Sequence, residues 1–426
     1  MTVGLIGILV FILLLLLGLP VALSLLFVGM SGILCLVSLD QMFSAIGPTL
    51  YNGIANYTFS VIPMFVLMGN IGAETGLFAE LFKVARMWMG RLPAGLALST
   101  VVANTIFAAC SGSGPAACVV IGKAAIPEMR KMNYPDTLST GVVAGTGGLA
   151  VLIPPSVAIC VYGLIVNESI GKLLIAGILP GLVNASVNFG LIMIRSRHVP
   201  QDPVRYTWKE KFLAIRHLWV AGTVIVAILG GIYFGVCTPT EGGAFGAFVV
   251  FLLALFTRRL NWNIIWKSIH SSLSTNGMLL FILVSDLIFT RFLTLSGFGH
   301  ELTEWVVSLE MSKFMVLLFV CFVYLFLGCF IASVGVMVIT LPVFHPMMMA
   351  LGYDSIWFGI LVVMLIEIGM ETPPFGINLF ATKSIAPDIP LATIIRGTIP
   401  FIFRDLYAVT IICIFPQIVT FLPSLM

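Results

Sequence analysis

Apolar stretches long enough to cross a lipid bilayer recur along almost the whole sequence. A helix needs roughly 20 apolar residues to span the hydrocarbon core. Only 9% of the 426 residues are charged, against about 25% in an ordinary soluble domain, which is too few for a water-exposed surface. We therefore predict an all-α polytopic membrane protein, with candidate spans at 3–17, 20–38, 54–73, 138–167, 170–194, 217–236, 241–256, 272–294, 355–386 and 391–415.

The composition also argues against several other classes of protein. A net charge of +3 without a basic domain excludes nucleic-acid binding as a main role. The eight cysteines form no Cys-x-x-Cys pair and the five histidines are scattered, so no zinc-type ligand spacing is visible. No set of nucleophile and base at useful spacing indicates an enzyme. A membrane channel remains an alternative to a carrier.

Basic residues fall on one side of a single alternating topology. Fifteen of the 21 Lys and Arg residues lie in connectors or segment ends that this topology places together. The positive-inside rule assigns that side to the cytoplasm. The N-terminus then lies outside, and the acidic segment 297–312 faces outward. The fifteen are Lys83, Arg86, Arg91, Lys123, Arg130, Lys131, Arg195, Arg197, Arg205, Lys209, Lys211, Arg216, Arg258, Arg259 and Lys267.

The two halves of the chain match at one constant offset, the one that carries Pro20 onto Pro239. We predict a first repeat at 1–194, a cytoplasmic linker at 195–216 and a second repeat at 217–426. Each half has an odd number of full crossings, so the second copy is inverted, an arrangement typical of secondary transporters. The other coinciding pairs are Cys110 with Cys329, Pro127 with Pro346, Tyr134 with Tyr353, and Pro154-Pro155 with Pro373-Pro374.

Two apolar stretches, 94–131 and 313–349, are each interrupted near their middle by small polar residues. The first interruption is Ser111-Gly112-Ser113-Gly114-Pro115, and both outer ends of the stretch are basic. Both ends therefore lie in the cytoplasm, which predicts a re-entrant hairpin. The second interruption, 331–335, contains only Ser333 and Gly335, and its repeat position favours a second hairpin. The alternative is a small-residue packing patch between full crossings.

A broken span follows each hairpin. The span 138–167 contains Gly145-Thr146-Gly147-Gly148 and Pro154-Pro155, and the span 355–386 contains Gly369 and Thr372-Pro373-Pro374. Unpaired backbone is costly in hydrocarbon, so it must line a protein-walled cavity or bind a ligand. Exposed carbonyl oxygens suit a hard cation such as Na⁺. Proline kinks that only shape helix packing are the alternative.

Several charged residues lie inside predicted spans. Such residues are candidates for function, although structural hydrogen bonding is an equal alternative. Arg404 and Asp405 are sequence neighbours, so we expect them to pair with other helices rather than with each other. The remaining members of this group are Glu241, Asp286 and Glu367.

Five stretches together resemble one family. They are 62–69 (IPMFVLMG), 111–117 (SGSGPAA), 152–156 (LIPPS), 238–241 (TPTE) and 372–380 (TPPFGINLF). The sequence resembles the large membrane subunit of tripartite ATP-independent periplasmic (TRAP) transporters. Glu371 departs from the family, which usually has an apolar residue before the Thr-Pro-Pro, and its acid is expected to alter the second ion site or the proton dependence.

The resemblance implies two Na⁺ sites, each between a hairpin tip and a broken helix, with two or more Na⁺ carried per substrate. Together with the interruptions above, it yields two sets of sodium- or substrate-binding candidates. Na⁺ itself is expected at Ser111, Gly148, Pro154, Ser333, Gly369 and Thr372. The first-repeat set is Ser111, Gly112, Ser113, Gly114, Gly145, Thr146, Gly147, Gly148 and Pro154, and the second-repeat set is Ser333, Gly335, Gly369, Thr372, Pro373 and Pro374.

The resemblance also implies a function and partners. It implies a Na⁺-coupled importer of a small organic acid, such as a C4-dicarboxylate or a sugar acid like sialic acid, in the bacterial inner membrane. A small four-span membrane subunit and a soluble periplasmic binding protein would complete it. The alternative is a stand-alone carboxylate symporter of the same superfamily without a binding protein.

The implied mechanism is of the elevator type. We expect the hairpins and broken spans, 94–167 and 313–386, to move as one unit that carries the substrate. The remaining spans, with surface helices at 76–90 and 297–310, are expected to form a fixed frame that contacts the small subunit.

The orientation can be tested by cysteine labelling of intact cells. A membrane-impermeant thiol reagent should reach cysteines introduced in 297–312 and miss those introduced in the linker 195–216, because charged reagents do not cross the bilayer. Labelling of the linker from outside would contradict the predicted orientation and favour the opposite one.

Overall fold

The computed structural model describes residues 2–55, 57–78, 80–196, 199–299, 301–302, 304 and 312–425. Over these residues the regular structure is entirely helical, which confirms the all-α prediction. The predicted surface segment 297–310 lies mostly outside the described residues. The helices of the first half are α1 (Thr2–Leu16), α2 (Val21–Leu36), α3 (Leu39–Ile54), α4 (Val61–Glu74), α5 (Leu81–Met89), α6 (Gly95–Ser111), α7 (Gly114–Lys131), α8 (Asp136–Thr146), α9 (Leu149–Leu152), α10 (Val157–Val166), α11 (Ile170–Ala176) and α12 (Ile178–Arg195).

The linker contains one α-helix in its described part, and the second half follows it. A π-helical stretch, Val226–Gly230, joins two of the helices listed next. They are α13 (Trp208–Ile215), α14 (Trp219–Ile225), α15 (Gly231–Tyr233), α16 (Pro239–Phe256), α17 (Trp262–Leu295), α18 (Lys313–Gly328), α19 (Ser333–Ala350), α20 (Ser355–Glu371), α21 (Ile377–Ile385), α22 (Leu391–Ile414) and α23 (Gln417–Thr420).

The surface of the helical bundle is apolar. Large side chains such as Phe27 (60% exposed), Phe248 (56%) and Phe322 (65%) point away from the protein. Water would disfavour this surface, whereas lipid tails match it. By length and composition, four described helical segments can cross a bilayer unaided: Ile170–Arg195, Trp262–Leu295, Ser333–Ala350 and Leu391–Ile414. The chain is therefore a multi-pass membrane protein.

The structure adds one helix that the span prediction omits and lengthens another. Residues 39–54 form α3, which begins at a capping box between Ser38 and Gln41. The span expected at 272–294 is the C-terminal part of the 34-residue α17. Helix α17 starts well before that span, at Trp262, because the Asn261 side chain accepts the N–H of Ile264 at 2.8 Å and caps its first turn.

Glu241 has a structural role at the start of α16. Its carboxylate accepts the backbone N–H of Thr238 at 2.8 Å and the Thr238 hydroxyl at 2.9 Å. The Thr238 hydroxyl in turn accepts the N–H of Glu241 at 3.3 Å. This is a capping box. Glu241 is exposed and its carboxylate is engaged in this cap, which favours structural hydrogen bonding, the alternative left open for this residue.

Helix bounds in the two halves coincide at the offset found in the sequence. Helix α7 covers Gly114–Lys131 and α19 covers Ser333–Ala350, and both ends are related by the offset that relates Pro20 to Pro239. The next helix begins at Asp136 in the first half and at Ser355 in the second, again at the same offset. The same local sequence signals therefore end and restart the chain at matching places.

Most helices pack into two groups. The surface helix α5, which the sequence expectation placed with the frame, packs on α6 and on α13 instead. One group, which we call the frame, contains α1–α4 and α14–α17, with α2 packed on α17 and α4 on α16. The other group, the hairpin unit, contains α6–α12 and α18–α22. The sequence expectation placed 170–194 and 391–415 with the frame. In the structure α12 and α22 pack on each other and on α6, α8 and α20 instead, because their small residues fit the broken helices.

A close backbone contact within the hairpin unit joins α8 and α22. A Cβ on Gly141 would collide with the carbonyl group of Gly397, and a Cβ on Gly397 would collide with the carbonyl oxygen of Thr137. Only glycine at both positions lets the two backbones approach this closely. This contact ties the first broken helix to the last long helix of the chain.

The start of the linker is fastened to the base of the first hairpin. The Arg86 guanidinium pairs with Asp202 of the linker and, at 2.6 Å, with Glu128 at the end of α7. The Asp202 N–H also donates to the Gly90 carbonyl at 3.0 Å. Partial burial raises the pKa of Asp202. Hydrogen bonds from Arg86 and from the Val204 N–H lower this pKa by more than burial raises it, so the pKa lies below its usual range. Asp202 therefore stays ionised at neutral pH.

The α8–α22 contact predicts a sharp difference between two glycine substitutions. Gly141→Ala should lower the thermal unfolding midpoint of the detergent-solubilised protein, because overpacking typically costs about 1–3 kcal/mol. Gly190→Ala in α12 is the matched control, since a Cβ there meets nothing within 4 Å. The control should unfold at the wild-type temperature or above it. Equal midpoints for both variants would contradict the close contact.

Candidate functional site

The first hairpin tip lies against the break in the first broken helix. Helix α6 ends at Ser111, Gly112 turns the chain with a φ of +62°, and α7 begins at Gly114. A Cβ on Gly112 would lie 2.7 Å from the carbonyl oxygen of Pro155. Glycine is required here twice, by its positive φ and by this close approach. The sequence-predicted contact between tip and break is therefore present.

Two of the first-repeat candidates support the site from behind. The Thr146 hydroxyl donates to the Val142 carbonyl and accepts from the Asn104 amide, both at 2.6 Å. The Gly145 carbonyl accepts a hydrogen bond from Arg404 at 2.9 Å, and its Cα faces the Phe401 ring. These hydrogen bonds and this packing hold the first break in position.

The second tip meets the second break in the same way. The Gly376 N–H donates to the Cys329 carbonyl at 3.3 Å. A Cβ on Gly369 would lie 2.6 Å from Gly328, at the end of α18. The Thr372 hydroxyl donates to the Ile368 carbonyl at 2.6 Å, which leaves its lone pairs free. Pro373 and Pro374 lie between this threonine and Gly376.

Gly335 lies away from the second break. The atoms nearest to a Cβ on Gly335 belong to Ile331 of its own hairpin and Val21 of α2. Gly328 and Cys329, earlier in the hairpin, take the place against the break that the sequence analysis gave to Gly335.

Both hairpin tips line one cavity of about 240 Å³ between the hairpin unit and the frame. Ser111, Ser113 and Gly114 come from the first tip, and Ser333 comes from the second. Glu367 of α20 lies in the same wall. The frame side is lined by Val66, Gly69 and Asn70 of α4 and by Thr275 and Leu279 of α17.

Buried oxygen atoms converge beside the first tip. A Cβ on Gly114 would lie 3.2 Å from the Gly147 carbonyl oxygen, 3.3 Å from Glu367 Oε2 and 3.4 Å from Asn378 Oδ1. Glu367 is 4% exposed and Asn378 is fully buried. Among the described residues, neither side chain has a hydrogen-bond partner, and the Ser111 hydroxyl is also buried without one. Buried polar groups are normally paired, so these atoms are placed to bind something.

Glu371 lies beside the first broken helix. Its Oε1 accepts the Gly148 N–H at 3.0 Å, while its Oε2 has no partner among the described residues. Its position next to Thr372 in the sequence predicts a place at the second ion site. The structure places it against the first break because α20 packs on α9, the short helix that begins directly after Gly148.

Arg404 and Asp405 pair with each other, so the expectation that they pair with other helices rather than with each other is wrong. The guanidinium bonds the Asp405 carboxylate and reaches the Gly145 carbonyl, and both residues are 4% exposed. The long arginine side chain folds back along α22, where its Nε donates to the Phe401 carbonyl at 3.2 Å. Asp286 lies outside the cavity lining and accepts the Thr290 hydroxyl at 3.3 Å.

Asn378 is the main site residue that the sequence analysis did not select. It directly follows Gly376-Ile377, after the proline pair, in a helix that packs on α7 of the other repeat. Helix α10 packs on α19 in the corresponding way. A lone amide in an apolar helix just beyond a break is the signal that points to it. Its convergence with Gly147 depends on this exchange between repeats.

Comparison with known proteins agrees with this architecture. The family model described as "Tripartite ATP-independent periplasmic transporter, DctM component" matches residues 8–418. The chain therefore belongs to the DctM family and is the large membrane subunit of a TRAP transporter.

The curated relatives are named as permeases for different substrates. The chain is 35% identical to the C4-dicarboxylate TRAP transporter large permease protein DctM of Pseudomonas aeruginosa, over 93% of this chain and 92% of the relative. It is 33% identical to the ectoine TRAP transporter large permease protein TeaC of Halomonas elongata, over 97% of both chains. It is 28% identical to the sialic acid TRAP transporter large permease protein SiaM of Vibrio cholerae, over 96% of this chain and 95% of the relative.

A solved structure shares the fold at low sequence identity. The YdaH transporter of Alcanivorax borkumensis superposes with a TM-score of 0.67 at 14% identity, over 97% of this chain and 99% of that one. This similarity concerns the fold alone.

Proposed function

We propose that this subunit is the carrier of a secondary active, Na⁺-coupled importer of a small organic acid across the bacterial inner membrane. It works with a small four-span membrane subunit and receives its substrate from a soluble periplasmic binding protein. The observation that carries the proposal is the single cavity lined by both hairpin tips, with unpaired polar atoms in its wall. The permease relatives support it.

The oxygen atoms around the tips fit a hard monovalent cation. The first group contains the Gly147 carbonyl, the Ser111 hydroxyl and the Glu367 and Asn378 oxygens. The second contains the free lone pairs of Thr372 and the backbone of Gly369 beside α18. No cluster of three or more His, Cys, Asp or Glu side chains suited to a metal occurs among the described residues. Neutral oxygens with at most one carboxylate favour Na⁺ over a divalent ion.

The cavity explains why an anionic substrate would need Na⁺. Its lining contains no Lys or Arg among the described residues, and it contains Glu367. A substrate carboxylate stripped of water needs compensating positive charge. Bound Na⁺ supplies that charge, helped by the partial positive charge at the starts of α7 and α19. C4-dicarboxylates and sugar acids are the substrate classes we propose.

The shared helix bounds support two inverted repeats. Exchanged contacts follow the same symmetry, since α10 packs on α19 and α21 packs on α7. In a repeat pair of this kind the substrate site lies at the repeat interface. The cavity between the two tips has that position.

The packing supports an elevator with a larger moving unit than the sequence suggested. We assign α6–α12 and α18–α22 to the moving unit and α1–α4 with α14–α17 to the frame. With the N-terminus outside, α4 runs toward the cytoplasm and α17 runs away from it. The cavity meets the last turns of α4 and the cytoplasmic half of α17, so we infer that the unit is in its inward position.

The sodium proposal predicts a change in ion dependence. Ser111→Ala and Thr372→Ala should each raise the Na⁺ concentration for half-maximal uptake, about fivefold if one ligand is worth about 1 kcal/mol. Uptake is measured in proteoliposomes with the small subunit and the binding protein present. Ser186→Ala is the matched control, because its hydroxyl only bonds the Leu182 carbonyl on an exposed face.

Two results would count against these assignments. Unchanged Na⁺ dependence in both variants would show that the hydroxyls of Ser111 and Thr372 do not bind Na⁺. Full uptake without the binding protein would favour the stand-alone symporter.

The elevator proposal predicts two cross-links. A Cβ on Gly335 would lie 3.8 Å from Val21 in the frame, so a Val21→Cys/Gly335→Cys disulfide should form readily, hold the unit inward and abolish uptake until reduced. At the repeat offset, Ala116 is the position equivalent to Gly335, and Thr240 is the position equivalent to Val21. An Ala116→Cys/Thr240→Cys disulfide should form only in the outward position. Single-cysteine variants are the controls. Normal uptake by the cross-linked Val21/Gly335 variant would contradict the elevator model and favour a local-gating mechanism.

A further inference from the structure

A second pocket, of about 170 Å³, lies where α12 ends beside the first turns of α8 and α22. Arg195 comes from the last turn of α12 and Arg396 from α22, while Pro135 and Thr137 come from the start of α8. None of its lining residues also lines the cavity between the hairpin tips. In the proposed orientation all three helix ends lie at the cytoplasmic face.

The two arginines carry positive charge that the described residues leave uncompensated. Both are exposed, and neither forms an ion pair or a side-chain hydrogen bond with another described residue. The nearest acid along α8 is Asp136, which pairs with Arg130 at 3.0 Å. Arg130 also binds Asp388 at 2.6 Å. The acids near the pocket are therefore already engaged with another arginine.

Apolar side chains, several of them exposed, flank this charge. Leu191 and Phe401 form part of the pocket wall. Ile194, next to Arg195, is 68% exposed, and Ile399, one turn after Arg396, is 40% exposed. Phe403, on the same helix as Ile399, is 68% exposed. The site thus has a doubly positive end and an apolar flank that continues toward the bilayer centre.

We propose that this pocket binds the phosphate group of an anionic phospholipid from the cytoplasmic leaflet. The guanidinium groups of Arg195 and Arg396 bind the phosphate oxygens, for which arginine has suitable paired donors. The acyl chains lie along Ile194, Ile399 and Phe403. Basic pockets between membrane helices on the cytoplasmic side suit such head groups. The proposal rests on the orientation proposed above but is independent of the transported substrate and of Na⁺ coupling.

The lipid site belongs to the hairpin unit. All three helices that form it, α8, α12 and α22, pack within that unit. A bound lipid would therefore be held by the part of the protein that we propose to move. It would stabilise the α8–α22 contact at its cytoplasmic end.

Native mass spectrometry of the purified full chain tests the proposal. The probes are phosphatidylglycerol and phosphatidylcholine with the same acyl chains, and inorganic phosphate is added in a separate arm. The wild-type protein should bind one phosphatidylglycerol at least tenfold more tightly than phosphatidylcholine. The Arg195→Gln/Arg396→Gln variant should lose this preference, and Arg195→Lys/Arg396→Lys should keep part of it.

A charge-matched control separates this pocket from general attraction. The Arg205→Gln/Arg216→Gln variant removes the same charge from the linker, outside the pocket, and should keep the wild-type preference. The single variants Arg195→Gln and Arg396→Gln give the same decision if the double variant does not fold, since each should weaken binding severalfold.

Three outcomes would overturn the proposal. The first is a wild-type lipid preference in the pocket variants, and the second is an equal loss in the linker control. The third is full displacement of phosphatidylglycerol by millimolar inorganic phosphate, which would assign the pocket to free phosphate. Failure of Na⁺-coupled uptake would leave the lipid result standing, because the binding measurement involves neither substrate nor Na⁺.

Discussion

Backbone N–H and C=O groups have no water to bond inside a bilayer, so each interruption of a helix there must be covered by protein. This chain interrupts four segments, two at hairpin tips and two at broken helices. Each hairpin tip packs against the break of the broken helix in its own repeat. Gly112 contacts Pro155 in the first repeat, and the Gly376 N–H donates to the Cys329 carbonyl in the second. The remaining architecture, including the glycine contacts of α8 with α22, holds these pairs together.

The same constraint produces the candidate site. Interrupting a helix leaves carbonyl oxygens, and the N–H groups at the start of the next helix, without partners in the helix. The second repeat places Glu367 and Asn378 beside Gly147 and Gly114 of the first repeat. The Glu367 and Asn378 side chains remain unpaired among the described residues although they are buried. Burial without a partner is unfavourable for the protein alone and favourable for binding a cation together with an anion. The coupling between ion and substrate that we propose rests on this electrostatic need.

The division into frame and hairpin unit shows where sequence reasoning reached its limit. Helices α12 and α22 have the apolar composition of any membrane span, so nothing in their own sequence assigns them to one group. Gly141 and Gly397 place α22 in the hairpin unit, because they allow a close backbone contact between α22 and the broken helix α8. Similarly, the direct Arg404–Asp405 pair depends on how a buried arginine folds along its helix.

The sequence by itself indicated the membrane class, the first hairpin, both breaks and the family, because apolar length, proline pairs and glycine clusters are local signals. It also placed Ser111, Ser113, Gly147 and Gly148 near the site for the same reason. The second hairpin was indicated by its position in the repeat. Only the tertiary structure brought Glu367 and Asn378 to these residues and placed Glu371 on Gly148, which lies in the other half of the chain. Contacts between repeats depend on how the helices cross, and that is set by packing over the whole molecule.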